Sequence, residues 1–444
     1  MRVFRTTDAP LREIAAEVSP ARRGAEPAAE DRVRRIVADV RERGDEAVIA
    51  YSRGRDWPDA TAATLRVSEN EIRAAAESCD AADRAALETA IARVRTFHER
   101  QRPRDALEPD GDGALLGWRY TAVCSVAINA PAAVAPLPSS LIMAAVPAQV
   151  AGVHRIAVIT PPARDGSVNA GILVAAALLG VTELYRVGGP WAIAALAYGT
   201  ETIEPVDKIV GPGNVYVNLA KAMVAGVVGI DGFYGPSEVV ILADESADAR
   251  LVAVDLAAQA EHGEDSVAVL IAPHGAIIDR VSAELDRIMR DLGRAETVRR
   301  SLDRHGAAVL VRDVNEGIDL ANLLAPEHLE LVVADPQALL PKVKHAGCIL
   351  LGSDTPTAVS DYLAGPSHVL PTARSARFSS GLGVMDFVKR SSVVAVAPPW
   401  LAKFGPQVKR LADLEGLDAH GRSVTMRMDK RLGPSGRRGG GGAI

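Results

Sequence analysis

The amino-acid sequence predicts an α/β protein with two parallel sheets, each covered by helices. From Val126 onward, short apolar runs alternate with Gly/Pro turns and helical stretches, the pattern of strand, crossover helix and parallel strand. The alternation runs twice, and the two series are separated by the Gly/Pro-rich connection VGIDGFYGPSE. A chain of 444 residues that is 48% hydrophobic has the volume for several such folding units. Only 4% of the residues are aromatic, so the cores are built from Ala, Val, Leu and Ile.

In chain order, residues 1–29 form an N-terminal segment. Residues 30–103 then read as helical, because DRVRRIVADVRERGDEAVIAYSR and AADRAALETAIARVRTFHERQRP space apolar residues three and four apart between charges. In the first α/β series, HRIAVITPP is strand and turn, NAGILVAAALLGV helix, TELYRVGG strand and glycine loop, PWAIAALAYGT helix, DKIVGPGN strand and loop, and VYVNLAKAMVAG helix. The second series runs through strand SEVVILAD, helix ARLVAVDLAAQAEHG, strand SVAVLIAP and a long charged helix from Ile277 to about Arg304. It continues with strand AAVLVRD, helix EGIDLANLLAP, strand LELVVAD, helix PQALLPKVKHAG and strand CILLGS. The Gly/Arg-rich tail after Asp429 is expected to be disordered.

A formal net charge of -6 argues against a nucleic-acid surface and makes a small molecule the expected partner. Cys79, Cys124 and Cys348 are odd in number and far apart, which fits a reducing compartment rather than a disulfide framework or a CxxC metal knuckle. The first residues lack a basic segment followed by an apolar run, and the longest apolar stretch, Ala170 to Val181, is too short to span a bilayer. A soluble cytoplasmic protein without membrane contact is expected.

Several clusters could carry chemistry. Gln259 and His262 are three residues apart on an expected helix, so an amide oxygen and an imidazole project from one face. They could share a metal or simply cap a helix end. Glu327 and His328 sit where a helix ends and a strand begins, and offer two proton-transfer groups of different affinity or a plain surface dipeptide. DTPTAVSDYLAGPSHVLPTARSARFSS has little helical or strand character and holds Asp361 and His368, a plausible ligand platform. Glu415 and His420 lie near the C-terminus. Neutral imidazoles with carboxylate and amide oxygens suit Zn²⁺. The loops VGGP and VGPGN follow strands and precede helices, so their backbone N–H groups could face a phosphate, although turn glycines in any α/β unit look similar.

Together, AIAALAYGTETI, VDKIVGPGN-Y, GPSEV, QAEH, APEHLE, DY-AGPSHVLPT-ARFSS and EGL-AH resemble the histidinol dehydrogenase family, from about Asp31 to about Met428. The resemblance implies two incomplete Rossmann-like parallel-sheet domains with small N- and C-terminal helical segments, in an intertwined homodimer. Residues 30–125 and 238–381 are expected to form the first α/β domain, with the metal and acid/base residues. Residues 126–237 form the second, nucleotide-side domain, 382–429 the dimerisation segment and 430–444 the tail. The implied activity belongs to histidine biosynthesis: histidinol is oxidised through the aldehyde to histidine by two hydride transfers to NAD, while one zinc ion per subunit positions the substrate.

Carried over onto this chain, the metal ligands fall on Gln259, His262, Asp361 and His420, and the acid/base pair on Glu327 and His328. Substrate contacts fall on Ser237, His368 and Glu415, besides the metal ligands and His328. The segment bearing Glu415 and His420 is implied to come from the partner subunit, so the active site is shared.

The cofactor side departs from the family pattern. Where the family usually reads G-L-Y-V-P-G-G, this chain has Ala127-Ile128-Asn129-Ala130-Pro131-Ala132-Ala133, and G-G-A-Q-A becomes Gly188-Gly189-Pro190-Trp191-Ala192. Ala132 and Ala133 restrict φ where glycine would not, and Trp191 replaces a hydrogen-bonding amide with a donor-only ring. Of the family's named cofactor contacts Asn214 remains, and Gly188, Gly189, Asn129 and Trp191 complete the expected cofactor edge. Phe233 and Tyr234 stand just before Ser237. The departures keep two further readings open: a paralogue acting on another small polar alcohol, and a zinc-binding protein that has lost NAD-dependent turnover.

Overall fold

A computed structural model describes residues 1–18, 26–132 and 136–429; Ala133 and the Gly/Arg-rich tail lie outside them. The chain divides into two compact units, Met1–Arg102 with Val123–Phe387, and Pro103–Ala122 with Val388–Ile444.

The first unit contains both parallel sheets. Six strands run in the order Arg2–Arg5, Ala307–Leu310, Val267–Ala272, Glu238–Ala243, His328–Val332 and Cys348–Leu351, all parallel. The N-terminal segment thus supplies an edge strand. Central strands are mostly apolar because helices cover both faces, with Glu238, His328 and Glu330 as buried exceptions. Val239, Ile241 and Ala243 pack with the helices Ala249–Ala260, Gly275–Ile288 and Ala295–His305, while Val240 and Leu242 pack with Leu11–Val18 and Val314–Leu324. The long helix expected from Ile277 to Arg304 is broken by a turn at 289–294 that contains Gly293. The stretch PQALLPKVKHAG keeps only the short helix Pro336–Leu339 and a 3-10 turn Leu340–Lys342, where Pro341 supplies no N–H donor to a longer helix.

The second sheet has five parallel strands, in the order Glu183–Tyr185, Arg155–Ile159, Ser125–Asn129, Lys208–Val210 and Gly229–Ile230. One core joins Ala127, Ala157 and Ile159 to the helices Gly189–Tyr198 and Val215–Val224. The helix Pro27–Arg43 joins the same core through Val33, Ile36 and Val40. It therefore sides with the 126–237 series, unlike the grouping of residues 30–125 expected from sequence. An amphipathic period identifies an apolar stripe but not the sheet that the stripe will cover.

In the second unit, Ala106–Pro109, Ala114–Ala122 and Val388–Val396 form an antiparallel sheet, followed by the helices Pro398–Leu414 and Asp418–Met428. The expected C-terminal helical segment thus opens with a strand. Its partner, Ala114–Ala122, is remote in sequence, so local periodicity carries no sign of the pairing. Among the described residues, no helix is long and apolar enough to cross a membrane.

Candidate active site

The amino edge of the six-stranded sheet places most of the candidate residues. Ser237 immediately precedes the strand Glu238–Ala243, and Glu327 immediately precedes His328–Val332. His328 is paired with Val239 on one side and Cys348 on the other, so its backbone is fixed from two directions. The helix Ala249–Ala260 ends at the same edge, with Gln259 in its last turn and His262 in the turn beyond. The expected helix is shorter than the sequence suggested, and the pair sits at a helix C-terminus, whose partial negative charge favours a cation.

The loops of the five-stranded sheet approach from its carboxyl edge. Asn129 ends one strand; Gly188 and Gly189 lead into the helix Gly189–Tyr198, and Gly211–Asn214 leads into Val215–Val224. A cleft of about 680 Å³ is lined by both sets, including Asn129, Gly189, Trp191, Asn214, Ser237 and Gln259, and further by His262, Glu327, His328, Asp361 and His368.

Burial dominates the chemistry at its centre. Glu327 is 7% exposed, and its carboxylate accepts the Glu238 N–H at 2.9 Å. Removal from water raises its pKa well above the ordinary carboxylate value. His328 is 3% exposed, and neither ring nitrogen has a hydrogen-bond partner among the described residues. Burial lowers its pKa to about 4, so the ring is neutral at neutral pH. Its Nδ1 lies 3.8 Å from Glu327 and its Nε2 3.7 Å from Asp361. Burial also raises Asp361 to about 7. A buried imidazole with two unfilled nitrogens is an expensive arrangement unless a ligand completes it.

His368 is held differently. Its Nδ1 donates to the Asp361 carbonyl at 2.8 Å, which leaves Nε2 to accept from the Ser140 hydroxyl at 3.0 Å. Both nitrogens are therefore engaged within the protein, and His368 fixes the backbone that carries Asp361. Ser140 and Arg294, both at the cleft, were not singled out by sequence. Ser140 opens an apolar helix, Pro138–Ala151, and Arg294 stands in the break of the long charged stretch, where neither has a local signature.

Gln259, His262 and Asp361 bring donor types that a zinc ion accepts to the lining of one cleft. The Gln259 side chain is 2% exposed, and its amide nitrogen has no partner, so a buried amide borders the cleft with hydrogen-bonding capacity to spare. Desolvation first, and the Arg294 charge second, lower the proton affinity of His262, which favours the neutral, ligating form. Amide oxygen, imidazole and carboxylate form a set that Zn²⁺ accepts. Among the described residues, no group of three or more His, Cys, Asp or Glu stands ready to hold a metal. Glu415 and His420 belong to the second unit, where both are exposed.

The glycine loops at the cleft are packed tightly against the protein's own atoms. Gly189 adopts a φ of 74°, and a Cβ there would lie 2.8 Å from the Trp191 ring. Gly211 has a φ of 107°, and a Cβ would lie 2.5 Å from the Asn129 carbonyl oxygen. Only glycine permits these close approaches. Two helix N-termini meet at this edge, which suits a pyrophosphate. Asn129 donates its amide to the Pro212 carbonyl, and Asn214 caps its helix by accepting from Tyr216 and Val217 N–H at 3.0 and 3.1 Å. Trp191, in the stretch read as helix, occupies the first turn of Gly189–Tyr198; it is 7% exposed and stacks on Tyr51 at 5.8 Å. Most of its ring is core, and only an edge reaches the cleft.

Comparison with known proteins shows the family. A match to the family described as histidinol dehydrogenase spans residues 20–428. The chain is 50% identical over 398 residues to a histidinol dehydrogenase of Ruegeria pomeroyi, covering 90% of this chain and 92% of the relative. It is 49% identical over 397 residues to one from Rhizobium meliloti, covering 89% and 91%. The crystal structure of histidinol dehydrogenase from Elizabethkingia anophelis superposes with a TM-score of 0.91 at 32% identity, over 96% of this chain and 98% of that one. The chain therefore belongs to the histidinol dehydrogenase family.

Proposed function

We propose that this chain is a zinc-dependent enzyme that oxidises L-histidinol to L-histidine through the aldehyde, with NAD⁺ accepting a hydride in each step. The observation that carries the reading is the water-shielded Glu327–His328 pair, set beside Asp361 in the same cleft as the glycine loops.

Gln259, His262 and Asp361, with His420 of a second copy, would hold zinc, which would supply a Lewis-acidic anchor for the substrate's nitrogen atoms. Ser237, His368 and Glu415 border the substrate, His368 also by fixing Asp361. Gly188, Gly189, Asn214, Asn129 and the edge of Trp191 border the nucleotide. The neutral His328 imidazole takes the hydroxyl proton as the carbinol carbon is oxidised. Glu327, whose proton affinity is raised by burial, takes a proton from the water that adds to the aldehyde carbon. Once His328 has passed its first proton to solvent, it accepts the hydrate's proton in the second oxidation. By resemblance to the family, Glu415 and His420 would come from the partner subunit, and a homodimer would then complete the site.

The test is turnover of purified, zinc-loaded protein against histidinol and a panel of small amino alcohols. Selective oxidation of histidinol is expected; preference for another alcohol, or no reduction of NAD⁺ or NADP⁺, overturns the reading.

A further inference from the structure

The helix Val215–Val224 has a polar inner face. Asn214, Asn218 and Lys221 follow one another at spacings of four and three, which aligns them. Lys221 is wholly buried, and its Nζ donates to the Gly211 carbonyl at 3.0 Å and to Asp231 at 2.5 Å. It also lies 5.0 Å from the centre of the Tyr234 ring. Asp231 accepts from the Gly211 N–H at 2.7 Å, the Gly232 N–H at 2.8 Å and the Tyr234 hydroxyl at 2.8 Å. Asn218 donates to the Gly213 and Tyr234 carbonyls at 3.1 and 2.5 Å and accepts the Tyr234 N–H at 3.2 Å.

These bonds have one feature in common. Each of Asn218, Lys221 and Asp231 touches both the 211–214 loop, on the nucleotide side of the cleft, and the 232–237 segment, which ends at Ser237. Lys221 and Asp231 together capture both backbone polar groups of Gly211, the residue in the left-handed conformation. A buried ion pair is a poor way to add stability, since apolar side chains of similar volume usually do as well. Directional bonds do what apolar packing cannot, because they fix two loops in a single register.

We propose that Asn218, Lys221 and Asp231 are positioning residues that join the nucleotide loop and the substrate-serine loop into one rigid piece, so that loosening it weakens both ligands together. The inference rests on the functional reading above, which assigns nucleotide and histidinol to these two loops. In this arrangement the side chains touch neither ligand and act through Gly211, Gly213, Tyr234 and the chain leading to Ser237.

The experiment is calorimetric titration of the zinc-loaded protein with NAD⁺ and, separately, with histidinol, for wild type, Asn218→Ala and a destabilised control, Leu302→Ala. Leu302 is a buried core residue of the helix Ala295–His305, so its truncation lowers thermal stability through a cavity. Asn218→Ala is expected to raise both dissociation constants by roughly 5-fold or more, within the usual range of coupled sites, whereas Leu302→Ala lowers Tm and leaves both constants at wild-type values. Unchanged affinity for either ligand in Asn218→Ala overturns the inference, as does an equal loss in Leu302→Ala. Failure of the wild type itself to bind NAD⁺ overturns the functional reading, and the inference with it.

Discussion

Glu330 offers a test of how the site's framework is held. It sits in the strand that begins with His328, is 1% exposed, and accepts the Thr357 N–H at 3.0 Å and the Thr357 hydroxyl at 2.8 Å. Thr357 opens the helix Thr357–Tyr362, which carries Asp361, so the carboxyl ties the strand that bears His328 to that helix. Burial first, and the nearby Asp255 charge second, raise Glu330 from 4.5 to about 7. The folded state therefore binds this proton more tightly than the unfolded chain. Stability from this group is fully present below the unfolded pKa and is lost as pH rises through the folded value. A shift of this size corresponds to about 3 kcal/mol once the group ionises. Glu330→Gln keeps an acceptor oxygen for both Thr357 donors and cannot ionise. It is expected to match the wild type near pH 4 and to exceed it by about 3 kcal/mol near pH 8, with the gain developing between the two pKa values. Urea unfolding of both proteins at the two pH values measures the difference. Equal stability at both, or an equal loss at both, refutes the reasoning.

Three further outcomes are expected. His328→Gln should lower kcat by about 10²- to 10⁴-fold, the usual contribution of a general base, while metal analysis finds zinc unchanged; retained turnover contradicts the assigned role. His262→Ala should lose bound zinc, because a site of few ligands rarely survives removal of an imidazole, and metal content after dialysis reports it directly. Co-expression of His262→Ala and His420→Ala chains should restore up to about a quarter of wild-type activity, since a mixed dimer keeps one intact shared site. No recovery, with dimers present, means that both residues serve one chain's own site.

Much of the architecture was legible because α/β chains advertise themselves. Apolar runs such as VVILA and AVLIA are buried on both faces of a parallel sheet and need no polar alternation. Glu327, His328 and Asp361 were legible only as unusual local combinations, and their meaning came from family resemblance. Their meeting at the amino edge of one sheet, opposite the carboxyl-edge loops of the other, depends on how the sheets are arranged, which no local pattern encodes. The same holds for the Val388–Val396 strand, paired with a segment far earlier in the chain. Lys221 was invisible for a different reason: a lysine in a mid-helix position normally reads as solvent-facing, and only its pairing with Asp231 accounts for its burial. Trp191 was read at the cofactor edge, and the helix that begins at Gly189 turns its ring into the core beside Tyr51.

The central claim is tested most directly by full conversion of a known amount of histidinol by zinc-loaded protein with excess NAD⁺, with NADH and amino-acid product both quantified. The account predicts two equivalents of NADH for each histidine formed, and no free aldehyde accumulating. One equivalent with aldehyde released, or no NADH at all, would contradict it.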